Sequence, residues 1–262
     1  MLPAYFINLD RHPERRSHIE QQIEEAGFSA ERAPGIDGQN VPNDLAGYFD
    51  LEKTNRSALR PGQIGCHASH LRVMQIIVER NIAAALVLED DTMIDDDAMQ
   101  VIDEVMQRLP EDWDLVRMCR TAKRAVRPID HLPSGRSLVR FSRIPVGRAG
   151  YLVSNRGARK LLTPRVMNCP GDVEISQAWR LNLQVYGVEP PPFRQERIAI
   201  PSSIGVNRGH RSMWKRALPD IKRLVFNMTQ HGPYWWGKLA LANFAQRLTG
   251  HKSALHPVDE AS

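Results

Sequence analysis

Glu89, Asp90 and Asp91 follow the apolar run "AAALVL" without a break, and Asp95, Asp96 and Asp97 come three residues later. Six carboxylates therefore stand within nine residues. Crowding of this kind costs Coulomb energy unless a cation or a helix terminus offsets it. The two triplets have different explanations. Asp95–Asp97 precede a helical pattern through Val101, Val105 and Leu109, where capping and the helix dipole favour anions. Glu89-Asp90-Asp91 leave a strand, so their backbone is fixed and their side chains emerge together. Carboxylates converging there suit a hard divalent ion, Mn²⁺ or Mg²⁺, which takes one or two of them plus phosphate oxygens. A diphosphate bound through such an ion becomes a better leaving group. A solvated acidic loop is the competing reading.

The elements that must position these acids alternate along the chain. Ala4–Leu9 is an apolar run that reads as a buried strand. Pro13 sits where a first helical turn tolerates it, and Ile19, Ile23 and Ala26 recur at helical spacing up to Gly27. A short strand around Ser29–Ala33 leads into the turn-rich "APGIDG", and Gly62 and Gly65 read as backbone-geometry glycines. From Pro61 a second helix carries Ile64, Ala68, Leu71, Met74 and Val78 on one face. Ala83–Leu88 is apolar at every position, as in a strand buried on both faces. "WDLVRM" and "AGYLVS" read as further strands, "NRGARKLL" as a helix capped by Ser154, Asp172–Leu181 as a helix and Leu183–Val188 as a strand. This alternation predicts an α/β fold with a mostly parallel sheet covered on both faces. Ligands of such sheets bind beyond the carboxyl ends of the strands, where the first acidic triplet falls.

The 262 residues, 42% hydrophobic and 25% charged, are those of a globular protein with a sizeable core. No apolar run approaches the ~20 residues of a membrane span, and "MLPAYFINLD" reads as a strand rather than a signal peptide. Three scattered cysteines, Cys66, Cys119 and Cys169, suggest neither a disulfide framework nor a zinc site and fit a reducing cytoplasm. The net charge of +5 is local. Seven Lys/Arg face one acid between Cys119 and Gly147, and nine face one between Asn207 and Lys252. Such excess suggests an anionic partner: nucleotide phosphates, anionic lipid or nucleic acid.

"LEDD" after a buried strand, preceded by "PGQIGCHASHLRVM", resembles the core of glycosyltransferase family 25. That family includes bacterial lipopolysaccharide galactosyltransferases and animal collagen galactosyltransferases. "YFINLDRHPERR" is similar to its first strand and Arg-rich turn, "APGIDG" to its second-strand motif and "GYLVSNRGARKLL" to a later strand–helix unit. The matching segments run in the family's order from about Tyr5 to about Pro191. The resemblance implies a GT-A-type, Rossmann-like α/β/α sandwich. It also implies metal-dependent transfer from a nucleotide-diphospho-sugar, with inversion. Asp91, then Glu89, would be the metal ligands, while Asp90 on extended backbone would face the other way, toward ribose. His210 lies beyond the last matching segment and is a candidate third ligand apart from the resemblance.

Further roles follow from the same resemblance. Asn8 and Leu9, Arg11 and Arg15, Asp37 and Gly38, and Ser69 and His70 would line the donor site. At least one residue of the arginine cluster Arg11, Arg15 and Arg16 would be a solvated helix residue. Asp172 would be the base that takes the acceptor's proton, with Glu174 the other candidate. The family's Pro-x-Asp-Asp/Glu pattern is broken here by Val173, which leaves the division between these two acids open.

The basic segment Arg120–Arg143 sits where such folds insert an acceptor loop, and its arginines would suit a phosphorylated or carboxylated glycan. The tail, with Trp214, Trp235, Trp236, Phe226 and Phe244 among cations, reads equally as a helix on an anionic membrane or as one packed on the main domain. The expected organisation is a transferase domain over 1–205 and a basic, aromatic extension over 206–262. The expected donor is UDP-galactose, and the acceptor lipopolysaccharide, another glycolipid or an oligosaccharide. The expected place is the cytoplasm, peripheral at the inner membrane, with no nucleic acid partner. The rival readings are a nucleic-acid or anion-binding protein and a metal-dependent phosphohydrolase.

Overall fold

The computed structural model describes residues 2–50, 59–119, 121–167, 169–195 and 221–249. The chain opens with β1 (Ala4–Asn8), α1 (Pro13–Glu25), β2 (Glu31–Pro34), α2 (Asn43–Ala46) and α3 (Pro61–Glu79). Then come β3 (Ala84–Glu89), β4 (Thr92–Ile94), α4 (Ala98–Arg108), β5 (Leu115–Arg117), β6 (Val126–His131) and β7 (Ser137–Phe141). β8 (Gly150–Ser154), α5 (Asn155–Leu161), α6 (Gly171–Ile175), β9 (Val185–Glu189), β10 (Phe193–Gln195) and α7 (Ile221–Thr249) follow.

Eight strands form one sheet in the order β2-β1-β3-β8-β5-β9-β7-β6, and β4 pairs with β10 in a separate ribbon. Six of the eight run the same way; β7 and β8 run against them. Period-two alternation explains why the central strands are buried throughout. Ala4 and Phe6 of β1 and Leu86 and Leu88 of β3 join the core under α1 and α4. Their neighbours Tyr5, Ile7, Ala85 and Val87 join the core under α3 and α5. Each fully buried aliphatic side chain contributes roughly 1.5–3 kcal/mol, so a one-residue register slip would cost both layers at once.

Local signals act where the sequence places them. Pro13 opens α1, and Gly27 closes it at φ +73°, a left-handed conformation that suits glycine. The Ser154 hydroxyl caps α5 by accepting from the Gly157 amide at 3.0 Å. β8 is antiparallel to both of its neighbours in the otherwise mostly parallel sheet. One expectation is corrected. Asp97 stands at the N-cap of α4 but makes no cap hydrogen bond. It instead holds Arg136 at 2.6 Å, with Asp95 on the same guanidinium at 3.1 Å.

Glycine permits one close approach that shapes the site. A Cβ on Gly38 would lie 2.7 Å from the Gly65 nitrogen and collide with the Pro61 carbonyl. The loop after β2 therefore lies directly on the first turn of α3. Ser69 tightens the contact, accepting from the Ile36 amide at 2.8 Å and donating to the Gly65 carbonyl at 2.7 Å.

The C-terminal helix is docked rather than free, though it is broken by Gly232 (φ +72°) and Pro233. Leu239 and Ala242 pack on Ala125, and Asn243 accepts from the Ala125 amide at 3.0 Å. Arg127 stacks over Trp235 at 5.4 Å. The other side of the helix leaves Leu241 and Phe244 71% and 60% exposed. The helix thus packs on the main domain and leaves one apolar side exposed. The boundary expected at 205/206 and Trp214 lie outside the described residues, and no described helix is long and apolar enough to cross a membrane.

Candidate functional site

At the carboxyl end of β1 and β3 lies a cleft of about 370 Å³, within the range of small-ligand sites. Glu89, Asp90 and Asp91 form its acidic wall. The strand ends at Glu89 and the next two residues turn. The alternation expected through the triplet therefore does not hold, and Asp90 and Asp91 face the same cation. Arg15 reaches Asp90 at 2.6 Å and Asp91 at 3.0 Å. Asn8 Nδ2 donates to Asp90 at 2.8 Å and to the His12 carbonyl at 3.0 Å. That orientation leaves Asn8 Oδ1 buried without a partner.

The acids are tense in this state. Burial raises the Asp91 carboxyl above its usual range, and the neighbouring Glu89 charge adds to it. Burial likewise raises Asp90, against the pull of Arg15. Asp91 Oδ2 accepts from Gln195 at 2.9 Å, whereas Oδ1 is buried and unpartnered. An orphaned carboxylate oxygen beside a second acid is a fit for a hard divalent ion. Cys66, His70 and Glu89 also bring ligand atoms within 4.8 Å of one another. A thiol suits softer metals than Mn²⁺ or Mg²⁺, and burial pushes Cys66 up to about 12. The oxygen-rich side, Asp91 and Glu89, fits the hard ion better. His210 lies outside the described residues.

His70 holds Glu89 in place. Its Nε2 lies 3.1 Å from Glu89 Oε1 and its Nδ1 lies 2.8 Å from the Tyr151 hydroxyl. Burial, helped by Arg148, keeps the ring well below its ordinary pKa and therefore neutral. A neutral imidazole donates to Glu89 and accepts from Tyr151.

Other expected residues divide. Leu9, Arg11, Gly38, Ser69 and His70 line the cleft. Asp37 does not; it pairs with Arg11 at 2.5 Å near the rim. Arg16 is a solvated helix residue, paired with Glu20 one turn on. Asp172 lines the cleft and, among the described residues, forms no ion pair; its Oδ1 accepts only from the Val173 amide at 2.8 Å. The helix expected over Asp172–Leu181 is shorter, α6 plus a 3-10 turn at Ala178–Arg180.

Glu174 is placed differently. It is buried under α6, paired with Arg165 at 2.9 Å and His67 at 3.3 Å, and absent from the cleft wall. A two-residue step on a helix turns the two acids to different faces. Burial opposes its charge, but His67 and Arg165 overcome this and hold the carboxyl at about 2.

A second cleft of about 730 Å³ adjoins the first, and Asp172 and Gly147 line both. Lys123, Arg124 and Arg143 line it and pair with no carboxylate among the described residues. Arg120 lies outside the described residues, and the other described arginines of the segment are committed. Arg136 serves Asp95 and Asp97, Arg140 stacks on Tyr186 at 4.2 Å, and Arg127 serves the docked helix. Sequence reading missed Cys66, Arg148, Tyr151 and Gln195, of which Cys66, Arg148 and Gln195 line the first cleft.

Carboxylates and cations gathered at the carboxyl edge of a mixed α/β sheet make a site suited to a phosphorylated ligand. The chain belongs to glycosyltransferase family 25: the family model, described as glycosyltransferase family 25 (LPS biosynthesis protein), matches residues 1–173. A glycosyltransferase 25 family member of Aedes aegypti is 32% identical over 171 residues, covering 60% of this chain and 27% of that protein. Procollagen galactosyltransferase 1 of Danio rerio is 29% identical over 171 residues, covering 61% and 28%. The probable inactive glycosyltransferase 25 family member 3 of Rattus norvegicus is 25% identical over 294 residues, covering 98% and 48%. The chain thus spans about a quarter of the length of the first two relatives.

Proposed function

We propose that this protein is an inverting hexosyltransferase that moves galactose from UDP-galactose onto a surface glycan such as lipopolysaccharide. The observation that carries the reading is the junction of the two clefts at Asp172. An acid there stands between a site suited to the nucleotide and a basic site suited to a phosphorylated or carboxylated acceptor. Asn8, Arg11, Arg15, Gly38, Ser69 and His70 would orient the nucleotide. Asp91 and Glu89 would hold Mn²⁺ or Mg²⁺, with His210 a third ligand on sequence position alone. The ion supplies charge neutralisation at the diphosphate when bound.

Asp172 takes the proton from the acceptor hydroxyl as that oxygen attacks the anomeric carbon. Attack from the acceptor side, opposite the departing diphosphate, inverts the configuration. The exposed Leu241 and Phe244 support peripheral contact with the cytoplasmic face of the inner membrane.

One relative is named as probably inactive, so turnover is the quantity to measure. UDP- and GDP-sugars are screened by thermal shift with and without Mn²⁺, and hits are assayed for transfer to lipopolysaccharide core. A sugar nucleotide at a hundred times its Kd should stabilise the fold by ~2.7 kcal/mol. If no sugar nucleotide stabilises the protein, the reading fails. Acceptor-independent release of phosphate would point to a phosphohydrolase instead.

A further inference from the structure

Three arginines line the first cleft, and two have carboxylate partners: Arg11 has Asp37, and Arg15 has Asp90 and Asp91. The third, Arg148, is 5% exposed and pairs with no carboxylate among the described residues. Its Nη2 donates to the Cys66 sulfur at 3.4 Å, and its Nε is buried without a partner. Burial opposes its charge, but the surroundings, the Glu89 and Asp172 carboxylates among them, outweigh burial, so it stays cationic. A cysteine sulfur is only a weak acceptor and does not take the place of a carboxylate partner.

The surrounding chain is built to hold this guanidinium. Gly171 lies against it: a Cβ there would come within 2.5 Å of Nη1 and 2.7 Å of Cζ. Arg117, also fully buried, donates from Nη2 to the Gly147 carbonyl and so fixes the peptide leading into Arg148. Arg117 Nε and Nη1 likewise have no partners among the described residues. Two buried guanidinium groups without a carboxylate are costly unless an anion completes them.

We propose that Arg148, positioned by Arg117, binds the diphosphate of the donor and stabilises it as the leaving group. This rests on the nucleotide-sugar reading of the cleft. As the acceptor oxygen bonds to the anomeric carbon, the bond from that carbon to the β-phosphate oxygen breaks, and its electron pair stays on the phosphate. The acceptor's proton passes to Asp172, and the growing negative charge is met by the N–H groups of Arg148.

Calorimetry on the full chain tests this with pyrophosphate, UDP and uridine as ligands, each with EDTA and with Mn²⁺. In Arg148→Gln the Kd for pyrophosphate and UDP should rise at least tenfold under both conditions, while that for uridine is unchanged. Gly171→Ala, which crowds the guanidinium without removing its charge, should weaken both phosphorylated ligands in the same sense. If Arg148→Gln does not fold, the Gly171→Ala result decides. Unchanged pyrophosphate and UDP binding in the folded variant overturns the proposal, as does a wild-type protein that binds neither. Arg148-dependent pyrophosphate binding without any sugar transfer would sink the transferase reading and leave the anion site standing. Transfer kinetics untouched by Arg148→Gln would do the reverse.

Discussion

Arg15 Nη2 lies 3.0 Å from Asp91 Oδ2, while the other oxygen of the same carboxylate is buried with no partner among the described residues. The side chain is thus held by one edge and open at the other. Asp91→Ala should leave the fold intact and lower transfer at least a hundredfold, about 2.7 kcal/mol at 1.36 kcal/mol per decade. Circular-dichroism melting should show no loss of stability, because burial and Glu89 already disfavour the Asp91 charge. A folded variant with normal UDP release would remove Asp91 from the site.

Asp172 and Glu174 should separate cleanly. Asp172→Asn is expected to cut kcat by roughly 10²–10⁴ without changing nucleotide affinity, the loss typical of a missing general base. Glu174→Gln should act through the fold, with kcat per folded molecule within a few fold of wild type. Equal effects of the two on kcat would reassign the base.

Acid stability gives a second separation. Burial lowers His67 from 6.5 to about 4, whereas Glu174 falls from 4.5 to about 2 because His67 and Arg165 outweigh the opposing effect of burial. Both bind protons more weakly in the folded chain, so the unfolded chain takes them up first as pH falls. Stability from His67 is complete above 6.5 and lost toward about 4; that from Glu174 is complete above 4.5 and lost toward about 2. The Glu174 part is on the order of 3 kcal/mol. Urea unfolding between pH 7 and 3 should show this slope, and Glu174→Gln should flatten its lower part.

The two sides of α7 predict different losses. Leu239 is buried on Ala125, so Leu239→Ala should destabilise by about 2–4 kcal/mol. Leu241→Glu with Phe244→Glu should leave the melting midpoint unchanged but reduce sedimentation with phosphatidylglycerol vesicles. Undiminished vesicle binding would argue against a membrane role for this helix.

The sequence made the sheet and the acidic triplet visible because buried strands and helical spacing are local patterns. Arg148 was hidden for a topological reason. In a parallel strand the residues just before Gly150, Arg148 among them, would fall at the edge away from the ligand. Here Leu88 pairs with Gly150 antiparallel, and the Glu89 amide donates to the Ala149 carbonyl at 2.8 Å. The start of β8 therefore meets the end of β3, and Arg148 arrives beside Glu89. Strand direction is set by tertiary context, which one strand's own residues do not encode. Glu174 misled for a related reason: its partners His67 and Arg165 lie far from it or on another loop. Asp95 and Asp97 looked like helix-start acids because their partner Arg136 comes about forty residues later.

The contact of Gly38 on the first turn of α3 leaves no slack between two stretches that both line the first cleft. Neither can loosen while the other stays ordered, so they should be lost in one cooperative step. Heating curves followed by UDP retention and by helical ellipticity would then superimpose. A pocket of this construction keeps its shape until it vanishes.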